Sequence, residues 1–184
     1  MISRTARVRR LRLAAAGAVV ALVLTGAGVW LATTPTPPSV PVPLSLLQRH
    51  DLHARVLLVA REVQDPAPTP TPQERATDLA DRADLRGEAV TDVAAYAQKT
   101  ADLQAAMAQG GRPMTDTDVK LESMSATRQL GGPLRVCARI HSTHDVQTGP
   151  AWQEVTPWVF TVDPGDQHIT DVEVQDWDGG GHTC

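Results

Sequence analysis

The sequence predicts an α+β protein: an N-terminal transmembrane helix, then helices packed on a curved antiparallel sheet of about four strands. Three observations carry this expectation. The chain begins with an arginine-rich tail followed by a long uncharged run. Apolar residues in 44–108 recur three and four apart, the spacing of one helix face. After Pro113 the period changes to two, with turn residues between the alternating runs.

Arg4, Arg7, Arg9, Arg10 and Arg12 precede an uncharged stretch from Leu13 to Ala32. About 20 apolar residues suffice to cross the hydrocarbon core as a helix, and flanking arginines stay on the cytoplasmic side. Residues 1–12 are therefore expected as a cytoplasmic tail, 13–32 as a transmembrane helix in contact with membrane lipid, and the rest as extracytoplasmic. The alternative is a cleaved signal peptide. Such a peptide has an apolar region of about 7–15 residues ending in small residues. Here the run is longer, and Trp30 stands where small residues are needed. Gly17, Ala21 and Thr25 share a face, a spacing that permits close helix approach but also follows from abundant Ala and Gly.

The chain has 17 Lys and Arg against 21 Asp and Glu. Five of the basic residues precede Leu13 and every acid follows Ala32, so residues 33–184 carry 12 against 21, a formal charge of −9. An acidic exterior excludes nucleic acid as an expected partner, because phosphate contacts need Lys and Arg. The preponderance of Arg over Lys, with abundant Ala, fits a high-GC bacterial coding bias. With one Tyr, one Phe and four Trp, the core must be largely aliphatic.

Residues 33–43 hold five prolines and are expected as an extended spacer. The extracytoplasmic domain is expected over 44–184. Residues 44–64 read as a helix, with Leu52, Val56, Val59, Ala60 and Val63 on one face. Asp65-Pro66 ends it, and 65–73 is expected as a proline-rich surface loop tolerant of length changes. A second helical region covers 74–108, with Ala76, Leu79, Ala80 and Ala83, then Val90, Val93, Ala94, Ala97, Leu103 and Met107 facing the core. Gly87 is expected to break or kink it, and Gly110-Gly111 with Pro113 to stop it.

The first strand is expected in the Thr/Ser-rich stretch Val119 to Leu130. Leu134, Val136, Ala138 and Ile140 then alternate with Arg135, Cys137, Arg139 and His141, the pattern of a half-buried strand. Trp158, Phe160 and Val162 alternate in a third. Asp163-Pro164-Gly165-Asp166 is a hairpin turn, and His168 to Trp177 is the fourth strand, with Thr170, Val172 and Val174 on one face.

Cys137 and Cys184 are the only cysteines, and outside the cytoplasm an even count is expected to pair as a disulfide. No catalytic residues, cofactor or metal site are expected. His141 and His144 lie three apart on a strand and so face opposite ways, and the remaining histidines are scattered and expected at the surface. There is no G-x-S-x-G elbow, phosphate loop or dinucleotide fingerprint. Asp176 and Asp178 fit a turn before glycines as well as acid–base chemistry. Trp152, expected in a loop with Gly149-Pro150, is the candidate exposed contact aromatic. Trp158 is expected in the core or at a pocket mouth.

The closing stretch Trp158-Val-Phe-Thr-Val-Asp-Pro-Gly-Asp-Gln-His-Ile-Thr-Asp-Val-Glu-Val-Gln-Asp-Trp177 resembles the last hairpin of the nuclear-transport-factor-like (SnoaL-like) cone fold. The order of helices then meander over about 44–177 is similar too. The layout of basic tail, single span and outer domain resembles Mce-associated membrane proteins and the inner-membrane scaffold subunits of conjugative transfer and type IV secretion. Those resemblances imply a non-enzymatic interaction or scaffold domain in a bacterial envelope assembly, partnered by other envelope proteins or by itself. The alternatives are a small-molecule-binding or cyclase/isomerase-like cone and a cleaved secreted protein.

Overall fold

The computed structural model describes residues 39–175. The tail 1–12, the expected span 13–32, most of the spacer, and Asp176, Trp177, Asp178, His182 and Cys184 lie outside the described residues. No helix among the described residues is long and apolar enough to cross a membrane.

Three helices precede four long strands. The first helix, α1 (Leu46–Gln64), begins with a capping box: Ser45 Oγ accepts from Gln48 N and Gln48 Oε1 accepts from Ser45 N, each at 3.2 Å. Its buried face holds Leu52, Val56, Val59, Ala60 and Val63, the five residues expected from spacing. The next helix, α2 (Pro72–Arg82), uses the same device with Thr71 and Glu74, and Pro72 opens it where a missing N–H does no harm. Its buried apolar residues are Ala76 and Leu79. The third, α3 (Glu88–Gln109), buries Ala89, Val93 and Ala97.

The expected break is at Gly87, whose φ of 59° and ψ of −126° lie outside what a residue with a Cβ readily adopts. Leu103 is exposed and Met107 half-buried, so the core-facing stripe ends sooner than its spacing implies. The last turns of α3 run past the apolar part of the sheet.

The proline-rich segment after α1 is organised around one side chain. Arg75 of α2 is 5 % exposed. Its guanidinium donates to the carbonyls of Glu62 (2.9 Å), Asp65 (2.8 Å), Pro70 (3.3 Å) and Ala67. The loop lies on the surface as expected, and these bonds hold its backbone against Arg75.

The sheet is antiparallel and has five strands in the order β1-β2-β3-β4-β5, not four: β1 (Val40–Pro41), β2 (Met114–Arg128), β3 (Leu134–Val146), β4 (Trp152–Val162) and β5 (Ile169–Val174). The additional strand lies in the expected spacer. Val40 pairs with Arg128, Pro41 with Thr127, and Val42 N donates to Ala126 O at 2.9 Å. Proline lacks the N–H of a central strand, and Pro41 sits on the sheet edge, where that lack is tolerated. The β2 strand starts five residues earlier than its composition indicates, and β5 ends at Val174.

The helices cover one face. That inner face carries Val119, Ala126, Leu134, Val136, Ala138, Ile140, Trp158, Phe160, Val162, Ile169 and Val172, all buried. The helical layer is joined to the sheet by main chain as well as by packing. Leu85, between α2 and α3, forms a parallel bridge with Ile169. Arg86 N donates to Ile169 O at 2.8 Å, and Ile169 N to Asp84 O at 3.0 Å.

Arg75→Met keeps the aliphatic stem but removes all four carbonyl contacts. It should lower unfolding stability by about 2–3 kcal/mol, since hydrogen bonds from a charged donor are the stronger kind. Denaturant titration measures this, and a change under about 0.5 kcal/mol would mean that the loop does not depend on the guanidinium.

Candidate functional site

The inner face changes character along the strands. From Leu134 to Ile140 every second residue of β3 is apolar; the next two inward positions are Ser142 and His144, 0 % and 5 % exposed. The register puts Thr117 of β2 and Trp152 of β4 opposite His144, and Glu154 opposite Ser142. One end of the inner face is thus apolar and the other polar and aromatic.

A crevice of about 430 Å³ opens over that polar end. It lies between Gln64 at the end of α1, Tyr96 and Leu103 of α3, and the sheet residues Met114, Trp152 and Trp158. His144 is held on both ring nitrogens: Nδ1 lies 3.1 Å from Thr117 Oγ1 and Nε2 3.2 Å from Glu154 Oε1. Its ring stacks on Trp152, with centroids 4.5 Å apart and planes 24° apart. Tyr96 is fixed by Val174 N, which donates to its hydroxyl at 3.0 Å. Lys99 lies over the Tyr96 ring, 4.8 Å from the centroid. Gln104 fixes Met114, a lining residue, by pairing with both its N and its O, at 2.8 and 2.9 Å.

Trp158 is 2 % exposed, which answers the choice between core and pocket: its ring belongs to the core and stacks with Phe160 (6.0 Å between centroids), while its edge lines the crevice. Trp152 is half-buried and begins β4. It is a cross-strand partner of His144, not a loop residue. Cys137 is half-buried on the outer face of β3, opposite in direction to Val136 and Ala138. Cys184 is outside the described residues.

His50 and His53 are exposed as expected. His144 is instead buried, and His168 sits half-buried between Asp84 (Nδ1 to Oδ1, 2.7 Å) and Asp166 (Nε2 to Oδ2, 3.1 Å). His141 faces Glu122 on the other side of the sheet, 3.7 Å away, so the two residues of the His-x-x-His pair point apart. Among the described residues no cluster of His, Cys, Asp and Glu is arranged to hold a metal ion.

Sequence reasoning missed His144, Gln64 and Tyr96. The signal for His144 was present: the alternation that placed Ile140 inward places Ser142 and His144 inward too. Gln64 and Tyr96 had no comparable signal, because each is a polar or amphipathic residue at a helical position next to the apolar stripe.

A second polar feature guards the free edge of β5. Val172 N donates to Asp92 Oδ2 at 3.3 Å, so Asp92 and Tyr96 together occupy two outward N–H groups of that strand. Burial, and then the nearby Asp171 carboxylate, push the Asp92 carboxyl above its ordinary value, against the lowering effect of the Val172 N–H.

Comparisons of this chain with protein-family models, with curated proteins and with solved structures find no match.

The raised Asp92 value has a definite sign. The folded state holds this proton more tightly than the unfolded state, so the group's contribution is full below the ordinary Asp pKa of ~3.9 and is lost as pH rises through the raised value. Asp92→Asn retains an acceptor for Val172 N and removes the titration. Unfolding titrations at a series of pH values should show the variant gaining on the native chain as pH rises from about 4. A difference independent of pH would contradict the assignment.

Proposed function

We propose that this chain is a single-pass bacterial membrane protein whose extracytoplasmic domain acts non-enzymatically, as an interaction module in an envelope assembly. The arginine-led apolar run and the acidic remainder support the address. The resemblance to envelope scaffold proteins and to the cone fold is retained as part of this proposal, and rests on layout and on the last hairpin.

The observation that carries the interaction reading is the outer edge of β2. The strand runs over 15 residues, but β1 covers only Thr127 and Arg128. From Asp116 to Ser125 this edge has no strand partner among the described residues. An open edge is a template for another strand. Its register shift between Leu121 and Ser123, and its charges at Asp116, Asp118, Lys120 and Glu122, restrict which strand can pair.

A Cys137–Cys184 disulfide belongs to the same proposal. Gln175 N donates to Pro157 O at 2.9 Å, and Cys137 pairs with Val159, two residues along β4. Nine residues remain after Gln175. They extend to about 30 Å, whereas crossing from the β5 edge to β3 requires roughly 10 Å.

A C-terminal reporter that is active only outside the cytoplasm tests the address, and a photo-crosslinking side chain at Lys120 tests the edge. The expected result is an active reporter, with a discrete heavier adduct from Lys120 that is absent when the crosslinker replaces Leu130. An inactive reporter would overturn the topology together with the disulfide. Equal adducts at the two positions, or none, would remove the case for the β2 edge.

A further inference from the structure

Gln64, which lines the crevice at the polar end of the sheet, carries an acceptor that no donor among the described residues uses. Gln64 is the last residue of α1 and is 7 % exposed. Its Oε1 is closed off from solvent and has no hydrogen-bond donor among the described residues. An unpaired buried acceptor costs free energy that a donor would recover. Gln64 lines the same crevice as the rings of Tyr96, Trp152 and Trp158.

Two of those rings are held in place before anything binds. Trp152 is stacked on His144, itself bonded to Thr117 and Glu154. Tyr96 is bonded to the backbone of Val174. Walls that are already ordered lose little entropy on binding. The charged groups Lys99 and Glu154 are exposed, and the rest of the lining offers aromatic surface, the hydroxyls of Thr100 and Thr156, and the unpaired Gln64 acceptor. The volume, about 430 Å³, is in the range of small-molecule sites.

We propose that this crevice binds a flat aromatic ring carrying one N–H or O–H donor, the chemistry shared by indoles and phenols, with the ring against Trp152 and Tyr96 and the Gln64 amide turning to bring Oε1 onto the donor. Such a ring is available as a free small molecule or as a Trp or Tyr side chain of another protein. The site is independent of the β2 edge and of the topology, so it stands or falls separately from the interaction reading.

The test is calorimetric titration of the purified full chain with indole, 1-methylindole and N-acetyltryptophanamide, in matched buffer and detergent. Indole should bind saturably. The 1-methyl compound, which lacks the donor, should bind at least tenfold more weakly. Trp152→Ala should abolish binding, and Gln64→Leu should weaken indole at least tenfold while leaving 1-methylindole unchanged. Binding of N-acetyltryptophanamide with the same dependence on Gln64 supports a side-chain ligand, and binding of indole without it supports a free small molecule. Absence of saturable indole binding, equal affinity for the two indoles, or a folded Gln64→Leu variant of unchanged affinity would overturn the proposal. Should Gln64→Leu fail to fold, the comparison of indole with 1-methylindole on the native chain decides alone.

Discussion

The arrangement depends on the seam where the α2–α3 connection meets the start of β5. Three helices fold from local sequence, and the long strands fold as a meander of neighbouring hairpins. Neither half buries its apolar face by itself. Leu85 and Ile169 join them: both are 0 % exposed, and two main-chain hydrogen bonds flank the contact. These bonds tie the α2–α3 connection to the first residue of β5. Arg55 of α1, 9 % exposed, adds a third tie by donating to Gln167 O at 2.8 Å while facing Asp51 at 2.6 Å. His168, between Asp84 and Asp166, closes the same region.

The seam requires unusual backbone. Asp84 has φ 58° and Gln167 φ 63°, both in the left-handed region that residues with a Cβ rarely adopt. Gly87 follows at φ 59°. Asp is among the residues that tolerate this region. Such conformations persist where surrounding structure over-determines them. Here the surroundings are the buried Leu85–Ile169 pair and the Arg55 and His168 contacts. The helices are in consequence fixed in register against the sheet, and that register decides what lies over its polar end. Gln64 and Tyr96 line the same crevice as His144 and Trp152, with α1 lying against β2 and α3 against β5.

Much of this was legible in the sequence. The α1 stripe, the break at Gly87, the β3 alternation and the Asp163–Asp166 turn follow from spacing and turn chemistry, which act locally. Both capping boxes, Ser45 with Gln48 and Thr71 with Glu74, were readable too, although the helix starts were placed a residue or two away. What escaped was set by tertiary contacts. A two-residue strand containing Pro41 has no periodicity to detect. Arg75 gathers four carbonyls that no local pattern predicts. Leu103 has helical spacing but lies beyond the end of the apolar sheet surface. The crevice itself brings together α1, α3 and β2 to β5, and only its sheet rows had a sequence signal.

Native-state hydrogen exchange at the Ile169 and Arg86 amides tests this account most directly. If the seam holds the two layers together, both amides should exchange only through global unfolding, with the same protection free energy as the Ala138 and Phe160 amides in the sheet centre. Exchange at Ile169 and Arg86 through a much smaller opening free energy, while Ala138 and Phe160 stay fully protected, would contradict it.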